Sequence, residues 1–192
     1  TETHDTEALV LGDVDGDGDL DLIAGNRNQT NRLYLNDGSG NFGTGSFGSG
    51  SDISSDAHNT TTLVLGDVDG DGDLDLIAGN ASQTSRLYLN SGTAYPFAGV
   101  TGTDVSSDAQ NTRSLALGDV DRDGDLDLIV GNNGSTNRLY LNNGTADPWS
   151  GVAGVDVTGD TNATRALALG DVDGDGDLDL IVGNTSSTNR LY

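Results

Sequence analysis

Short apolar runs separated by polar loops recur along this chain in a fixed order. In the first instance, residues 8–11 and 20–24 are apolar runs of strand length. An Arg-Leu-Tyr-Leu segment follows, and its period of two places the leucines on one face of a strand and Arg32 and Tyr34 on the other. The pattern therefore predicts three clear strands in each unit.

The unit recurs through all 192 residues. Its landmark glycines are Gly12, Gly66, Gly118 and Gly170, so successive units are offset by 54, 52 and 52 residues. A period in this range points to propellers or arrays of β-units. The predicted first strands are 7–12, 62–66, 114–118 and 165–170, the second strand is 19–25 and its counterparts, and the third strands are 31–36, 85–90, 137–142 and 189–192. A weaker fourth strand is predicted at 51–54, 103–106 and 155–158.

The loop between the first two strands of each unit carries five aspartates in nine residues. The sequence is Gly-Asp-Val-Asp-x-Asp-Gly-Asp-Leu-Asp-Leu in all four copies, with the loops at 13–21, 67–75, 119–127 and 171–179. Carboxylates this close together cannot all stay ionised without a counter-charge. Ca²⁺ supplies that charge, because it accepts six to eight oxygen ligands in flexible geometry, whereas Mg²⁺ prefers a stricter octahedron. We therefore expect about one Ca²⁺ per unit, four in total.

An EF-hand is the obvious alternative, since its loop begins in the same way. That loop ends with a bidentate glutamate at position 12 and lies between two helices. Here position 12 is Ala24, Ala78, Val130 or Val182, and the flanking runs have strand length. The aspartate at position 9 then completes the ligand set, and glycine at position 6 provides the sharp turn.

Charge and composition limit the classes of partner that this protein can bind. The net charge is −23 and the eight basic residues are all arginine, so nucleic acids and anionic membrane surfaces are improbable partners. Apolar residues make up 33% of the chain, which leaves the fold marginal without added stabilisation from metal ions. Cysteine is absent, so disulfides are excluded. Because extracellular calcium modules bind weakly and fill where calcium is abundant, we expect an extracellular or cell-surface protein.

These loops, followed by Leu-Asp-Leu-Ile-Ala/Val-Gly-Asn, resemble the FG-GAP or VCBS repeats of calcium-binding β-propellers such as those of integrin α subunits. The resemblance covers essentially the whole chain and implies an all-β fold of propeller-type repeats, with four four-stranded blades in a single domain, 1–192. It also implies side-chain ligands at loop positions 1, 3, 5 and 9 and a backbone carbonyl ligand at position 7. The implied metal residues are Asp13, Asp15, Asp17, Asp19 and Asp21; Asp67, Asp69, Asp71, Asp73 and Asp75; Asp119, Asp121, Asp123, Asp125 and Asp127; and Asp171, Asp173, Asp175, Asp177 and Asp179.

Candidates for catalysis are few. His4 and His58 are the two histidines, and the equivalent positions hold Gln110 and Asn162, which indicates a polar loop site. The chain has neither cysteine nor lysine, and its carboxylates are spread evenly over four units. We therefore predict no enzymatic activity and no catalytic residues.

Arginine and tyrosine recur together in the third strands. Arg32, Arg86, Arg138 and Arg190 could form a ligand-recognition surface with their tyrosines, or each could tie down an aspartate or carbonyl of a neighbouring blade, which we favour. Acidic residues also recur ten positions before each landmark glycine, as Glu2, Asp56, Asp108 and Asp160, with no basis for choosing between a supporting role at the metal and a solvated turn.

Two non-enzymatic functions remain open. The near-identity of the units and the end of a third strand at Tyr192 favour a structural element that assembles with copies of itself, in a closed eight-blade ring or a filament. The alternative is an adhesion or ligand-binding propeller for a protein or carbohydrate. Asn-x-Ser/Thr patterns are acceptor sites for N-linked glycans, and their presence would fit a glycoprotein. They begin at Asn28, Asn59, Asn80, Asn133, Asn143, Asn162 and Asn184.

Overall fold

The computed structural model of this protein describes residues 3–40, 42, 50–157 and 159–192. Every regular element in those ranges is a β-strand, and they contain no helix long and apolar enough to cross a bilayer. The strands are β1 (Thr6–Gly12), β2 (Asp21–Asn26), β3 (Arg32–Tyr34), β4 (Ser51–Asp52), β5 (Thr60–Gly66), β6 (Asp75–Tyr88), β7 (Thr103–Gly118), β8 (Asp127–Asn132), β9 (Arg138–Tyr140), β10 (Val155–Asp156), β11 (Ala163–Gly170), β12 (Asp179–Thr185) and β13 (Arg190–Leu191).

The strands form antiparallel sheets in which chain neighbours are also neighbours in space. Strands β1 to β4 form one sheet, here named repeat 1, and β11 to β13 form another, repeat 4. A six-stranded sheet between them holds repeats 2 and 3. Strand β6 supplies the second and third strands of repeat 2, and β7 supplies the fourth strand of repeat 2 and the first of repeat 3.

The predicted first, second and third strands are confirmed in every repeat. The weaker fourth strand is also confirmed, as β4, as the start of β7 and as β10, with residue 158 of its predicted range outside the described residues. Two details differ from the expectation of four separate four-stranded units. The described residues of repeat 4 form three strands, and β6 and β7 run without interruption because Ala81 pairs with Asn111 and Thr84 pairs with Ala109.

Each apolar core lies between two repeats. In β6, Leu76 and Ala78 belong to the core shared with repeat 1, whereas Ile77 belongs to the core shared with repeat 3. The period of two therefore places the two faces of one strand in two different cores. A third core joins Ile129 of repeat 3 to Leu180 of repeat 4.

The outer faces of repeats 1 and 4 are exposed and apolar. On repeat 4, Val172, Ile181 and Leu191 are 51%, 40% and 59% exposed, although their counterparts in repeat 2 are buried in the second core. On repeat 1, Leu9, Leu11 and Leu20 are also exposed. In repeat 2 the counterparts of Leu11 and Leu20 are Leu65 and Leu74. Their side chains lie against Gly12 of repeat 1.

Candidate metal centres

The backbone of each aspartate loop folds around its first carboxylate. The Asp13 carboxylate accepts hydrogen bonds from the backbone N–H groups of Gly16 and Gly18, both at 2.9 Å. Gly18 has a φ of 94°, a conformation that glycine reaches without the Cβ clash of other residues. The equivalent Gly72, Gly124 and Gly176 have φ values of 95°, 100° and 92°, so the sharp turn predicted at position 6 is present in every loop.

Carboxylate oxygens converge in each loop of the described chain. One oxygen from each of three aspartates lies within 4.8 Å of the others, and positions 1 and 3 contribute in every case. The third member is position 5 in the first two loops and position 9 in the last two. The clusters are Asp13, Asp15 and Asp17; Asp67, Asp69 and Asp71; Asp119, Asp121 and Asp127; and Asp171, Asp173 and Asp179. Such oxygen donors fit a hard divalent cation, and these residues could hold one.

The aspartate at position 9 is the buried member of the loop. In loop 2, Asp75 is fully buried, and its carboxylate accepts the backbone N–H groups of Val68 at 3.0 Å and Asn90 at 2.8 Å. Burial, together with the nearby Asp69 and Asp71 carboxylates, raises the pKa of Asp75 to about 6, although the two amide bonds act in the opposite direction. A cation in this loop would favour the charged carboxylate and displace its proton.

We predict that the stability of the cation-free protein falls as the pH rises from 3.8 to about 6. Folding raises the pKa of Asp75 from 3.8 to about 6, so the folded state binds this proton more tightly and the protonated form favours folding. That contribution is fully present below the unfolded pKa and is lost as the pH passes the folded pKa. Urea titrations in EGTA across this range measure it, and Asp75→Asn should flatten the dependence. An unchanged pH profile in that variant would contradict the assignment.

The side chain at position 7 points away from the cluster. The Asp19 carboxylate lies against Gly38, where a Cβ would come within 2.7 Å of Asp19 Oδ2. Gly92 and Gly144 stand in the same relation to Asp73 and Asp125. This arrangement agrees with the prediction that position 7 contributes its backbone carbonyl, which stays a prediction.

An arginine links the last two loops. Arg122 occupies position 4 of the third loop with a φ of 66°, where the other loops have glycine. Its guanidinium forms an ion pair with the Asp177 carboxylate of the fourth loop. Both side chains are more than half exposed to water, so the pair adds little stability.

The recurring arginines and tyrosines bind the recurring acidic residues. Arg86 and Tyr88 both donate to Asp56 Oδ2, at 3.0 and 3.2 Å, and Arg86 also donates to Asp104 at 2.7 Å and to the carbonyl of Gly102. The same contacts recur between Arg138, Tyr140 and Asp108 and between Arg190, Tyr192 and Asp160. The arginines therefore have the structural role that we favoured, but the prediction that their partners lie in a neighbouring blade was wrong, because Asp104 and Gly102 belong to the same repeat as Arg86. Three of the four recurring acidic residues serve this network, and Glu2 lies outside the described residues.

Family comparison agrees with this geometry. The sequence profile of the FG-GAP-like repeat matches residues 13–78, 67–130 and 119–182. The chain belongs to the FG-GAP-like repeat family. The resemblance inferred from the sequence is thus confirmed, and each matched FG-GAP-like segment runs from one aspartate loop into the next.

A solved structure supports the same fold. Its title reads "Crystal structure of BBS1N in complex with ARL6DN, soaked with lead", and it aligns with a TM-score of 0.60 and 12% sequence identity. The alignment covers 100% of this chain and 54% of that chain, so the FG-GAP-like chain spans about half the length of this structural neighbour. At this identity the likeness concerns the fold, which is all-β with propeller-type repeats. No curated protein matches the chain.

Sequence reasoning missed one class of residue near the FG-GAP-like loops. Asn36, Asn90 and Asn142 follow the third strand, and each donates its backbone N–H to the position-9 aspartate at 2.8 Å. Their recurrence after Arg-Leu-Tyr-Leu was the available signal. Its meaning depends on contacts with residues far away in sequence.

Proposed function

We propose that this protein is a calcium-stabilised extracellular module that associates with copies of itself and has no enzymatic activity. The observation that carries the proposal is that repeats 1 and 4 each expose an apolar face, and that equivalent faces of the other repeats are buried against each other inside the molecule. The outer face of repeat 4 carries residues equivalent to those with which repeat 2 packs against repeat 3. The outer face of repeat 1 carries residues equivalent to those with which repeat 2 packs against repeat 1. A second copy brings the two faces together, in a ring or a filament.

Light scattering in millimolar calcium tests this association. We expect the wild-type chain to have a mass above its 19.6 kDa monomer mass, and Ile181→Glu to reduce it because a charge on the outer face of repeat 4 would be buried. Tyr95→Glu is the matched control, since Tyr95 is 73% exposed but lies on neither outer face. A uniform 19.6 kDa wild-type protein would overturn the proposal.

Calcium is the proposed cation of all four loops. Three carboxylates converge in each loop, and the family to which the chain belongs has this loop as its signature. Binding of one ion per loop would neutralise part of the net charge of −23 and lock each turn between its strands.

We expect Asp17→Ala to remove one calcium ion from the protein and Asp19→Ala to leave the stoichiometry unchanged. The Asp17 carboxylate belongs to the first cluster, whereas the Asp19 carboxylate is turned toward Gly38. Isothermal titration calorimetry would count three sites in the first variant and four in the second. Equal losses in both variants would mean that position 7 binds through its side chain.

An extracellular location is part of the proposal, because weak calcium modules are saturated there. Glycans would be confined to part of the predicted Asn-x-Ser/Thr set. Asn80 is fully buried, and its amide donates to the carbonyl of Thr84 at 2.8 Å, so it is inaccessible to a glycosyltransferase in the folded protein. Asn28 and Asn143 are exposed.

A ligand-binding role is the second candidate, and a cleft between repeats 2 and 3 favours it. The cleft has a volume of about 580 Å³ and is lined by Asp104, Asp108, Asp147 and Trp149 among others. Arg138 also lines it, but this side chain already binds Asp108, Asp156 and the carbonyl of Gly154. A glycan array would test this role, and binding that persists in a strictly monomeric protein would favour it over self-association.

A further inference from the structure

Asn90 connects the metal loops of repeats 1 and 2. Its backbone N–H donates to Asp75 Oδ1 of loop 2 at 2.8 Å, and its side-chain Nδ2 donates to the carbonyl of Val14 in loop 1 at 2.8 Å. The two residues joined by the side-chain bond are 76 positions apart, and the bond is buried. One residue therefore contacts two neighbouring loops at once.

Asn142 repeats this arrangement one unit further along. Its backbone N–H donates to Asp127 Oδ1 of loop 3 at 2.8 Å, and its Nδ2 donates to the carbonyl of Val68 in loop 2 at 2.8 Å. The recurrence at equivalent positions shows that the link is a property of the repeat.

The links join into one buried line through the position-9 carboxylates. Val14 donates its N–H to Asp21 Oδ2 at 3.0 Å, and Val68 donates its N–H to Asp75 Oδ2 at 3.0 Å. Each valine thus bonds its own loop carboxylate through N–H and the asparagine of the next repeat through C=O. In order, the line runs Asp21, Val14, Asn90, Asp75, Val68, Asn142 and Asp127.

This geometry has a consequence for cation binding. If Asp21 binds the loop 1 cation as the position-9 ligand that the family resemblance implies, the cation would also fix the Val14 amide bonded to that carboxylate and so hold the Val14 carbonyl in position for Asn90. Asn90 in turn holds the Asp75 carboxylate in place. Because buried hydrogen-bonded groups have few alternative partners, ordering passes along such a line more readily than across exposed loops.

We propose that Asn90 and Asn142 are positioning residues that couple neighbouring metal loops, so that a cation in one loop raises the cation affinity of the next. This coupling rests on the proposed calcium occupancy of the loops. It is reciprocal, since each loop must change the affinity of the other by the same factor.

Asn36 provides the matched control within the same chain. Its Nδ2 donates to the carbonyl of Leu20 at 3.1 Å, as Asn90 Nδ2 does to Leu74, and its Oδ1 accepts the N–H of Gly38. Within the part of the chain that the structure describes, its side chain makes no bond to another repeat. Asn36→Ala therefore removes the local bonds alone, whereas Asn90→Ala also removes the link. Neither change touches the backbone N–H bond to the position-9 aspartate.

A double-mutant cycle read by NMR tests the coupling. Calcium is titrated into the full chain while the Gly72 amide reports binding at loop 2, and loop 1 is either intact or disabled by Asp17→Ala. We expect loss of loop 1 to weaken calcium binding at loop 2 about five-fold, the lower end of typical coupling between sites. In the Asn90→Ala background the same loss should have no effect, and in the Asn36→Ala background the five-fold effect should persist.

Each outcome decides the proposal. Equal loop 2 affinity with and without loop 1 in the wild-type background overturns the coupling alone, because calcium binding itself is then observed. Absence of calcium binding at every loop overturns the proposed cation and the coupling with it. If Asn90→Ala fails to fold, Asn142→Ala provides an independent test, with calcium binding at loop 3 read at the Gly124 amide and loop 2 disabled by Asp71→Ala.

Hydrogen exchange gives a readout that needs no cation. In EGTA, Asn90→Ala should lower the protection of the Val14 amide, whereas Asn36→Ala should leave it unchanged. Equal protection in both variants would show that the link does not order loop 1, and would overturn the proposal.

Discussion

EGTA will lower the melting temperature of this protein by more than about 10 °C. A site held at 100 times its dissociation constant contributes about 2.7 kcal/mol of stability. For a chain of this size, 1 kcal/mol corresponds to about 2–4 °C. Loss of four such sites therefore exceeds 10 °C, and the three or more carboxylates left in each loop repel one another as well.

Differential scanning calorimetry with and without EGTA measures this effect. Restoring calcium in excess should restore the original transition, which separates chelation from irreversible damage. A chelated protein that melts at the same temperature would show that the loops do not bind a stabilising ion under those conditions.

Ile77→Ala will reduce the free energy of unfolding by about 2–5 kcal/mol, the usual cost of truncating a fully buried isoleucine. Ile77 is 0% exposed and lies in the core shared by repeats 2 and 3. The truncation removes apolar contacts and leaves a cavity between two repeats that can collapse only partly.

Ile181→Ala is the control, because Ile181 occupies the same position of repeat 4 and is 40% exposed. We expect it to cost about 0.5 kcal/mol or less when measured by urea titration at a concentration too low for association. Equal losses in the two variants would contradict the assignment of the core to the space between repeats.

Local pattern predicted most of this fold. The period of two along Arg-Leu-Tyr-Leu placed leucine and tyrosine on opposite faces, and Leu87 and Tyr88 indeed lie in different cores. The glycine at position 6 and the converging aspartates also followed from local spacing. In each case the residues concerned lie within one short segment, so backbone geometry alone fixes their relation.

Contacts between repeats were harder to predict. The bond from Asn90 to Val14 depends on how two sheets pack, and sequence spacing carries no information about that packing. The uninterrupted β6 and β7 depend likewise on pairing between segments about 30 residues apart, such as Ala81 with Asn111. The role of the recurring acidic residues could not be predicted for the same reason, because it depends on the hydrogen bonds that Arg86 and Tyr88 donate to Asp56.

The placement of each core between repeats bears on how such a protein changes length in evolution. Each inner repeat contributes one face to the interface with the repeat before it and the opposite face to the interface with the repeat after it. The equivalent faces of different repeats carry similar residues. Duplication or deletion of a whole unit by recombination therefore joins surfaces that already fit, and neighbouring units keep their contacts. A deletion of part of a unit would instead pair unlike faces and expose both. Gene variants of this protein should accordingly differ by whole multiples of the repeat.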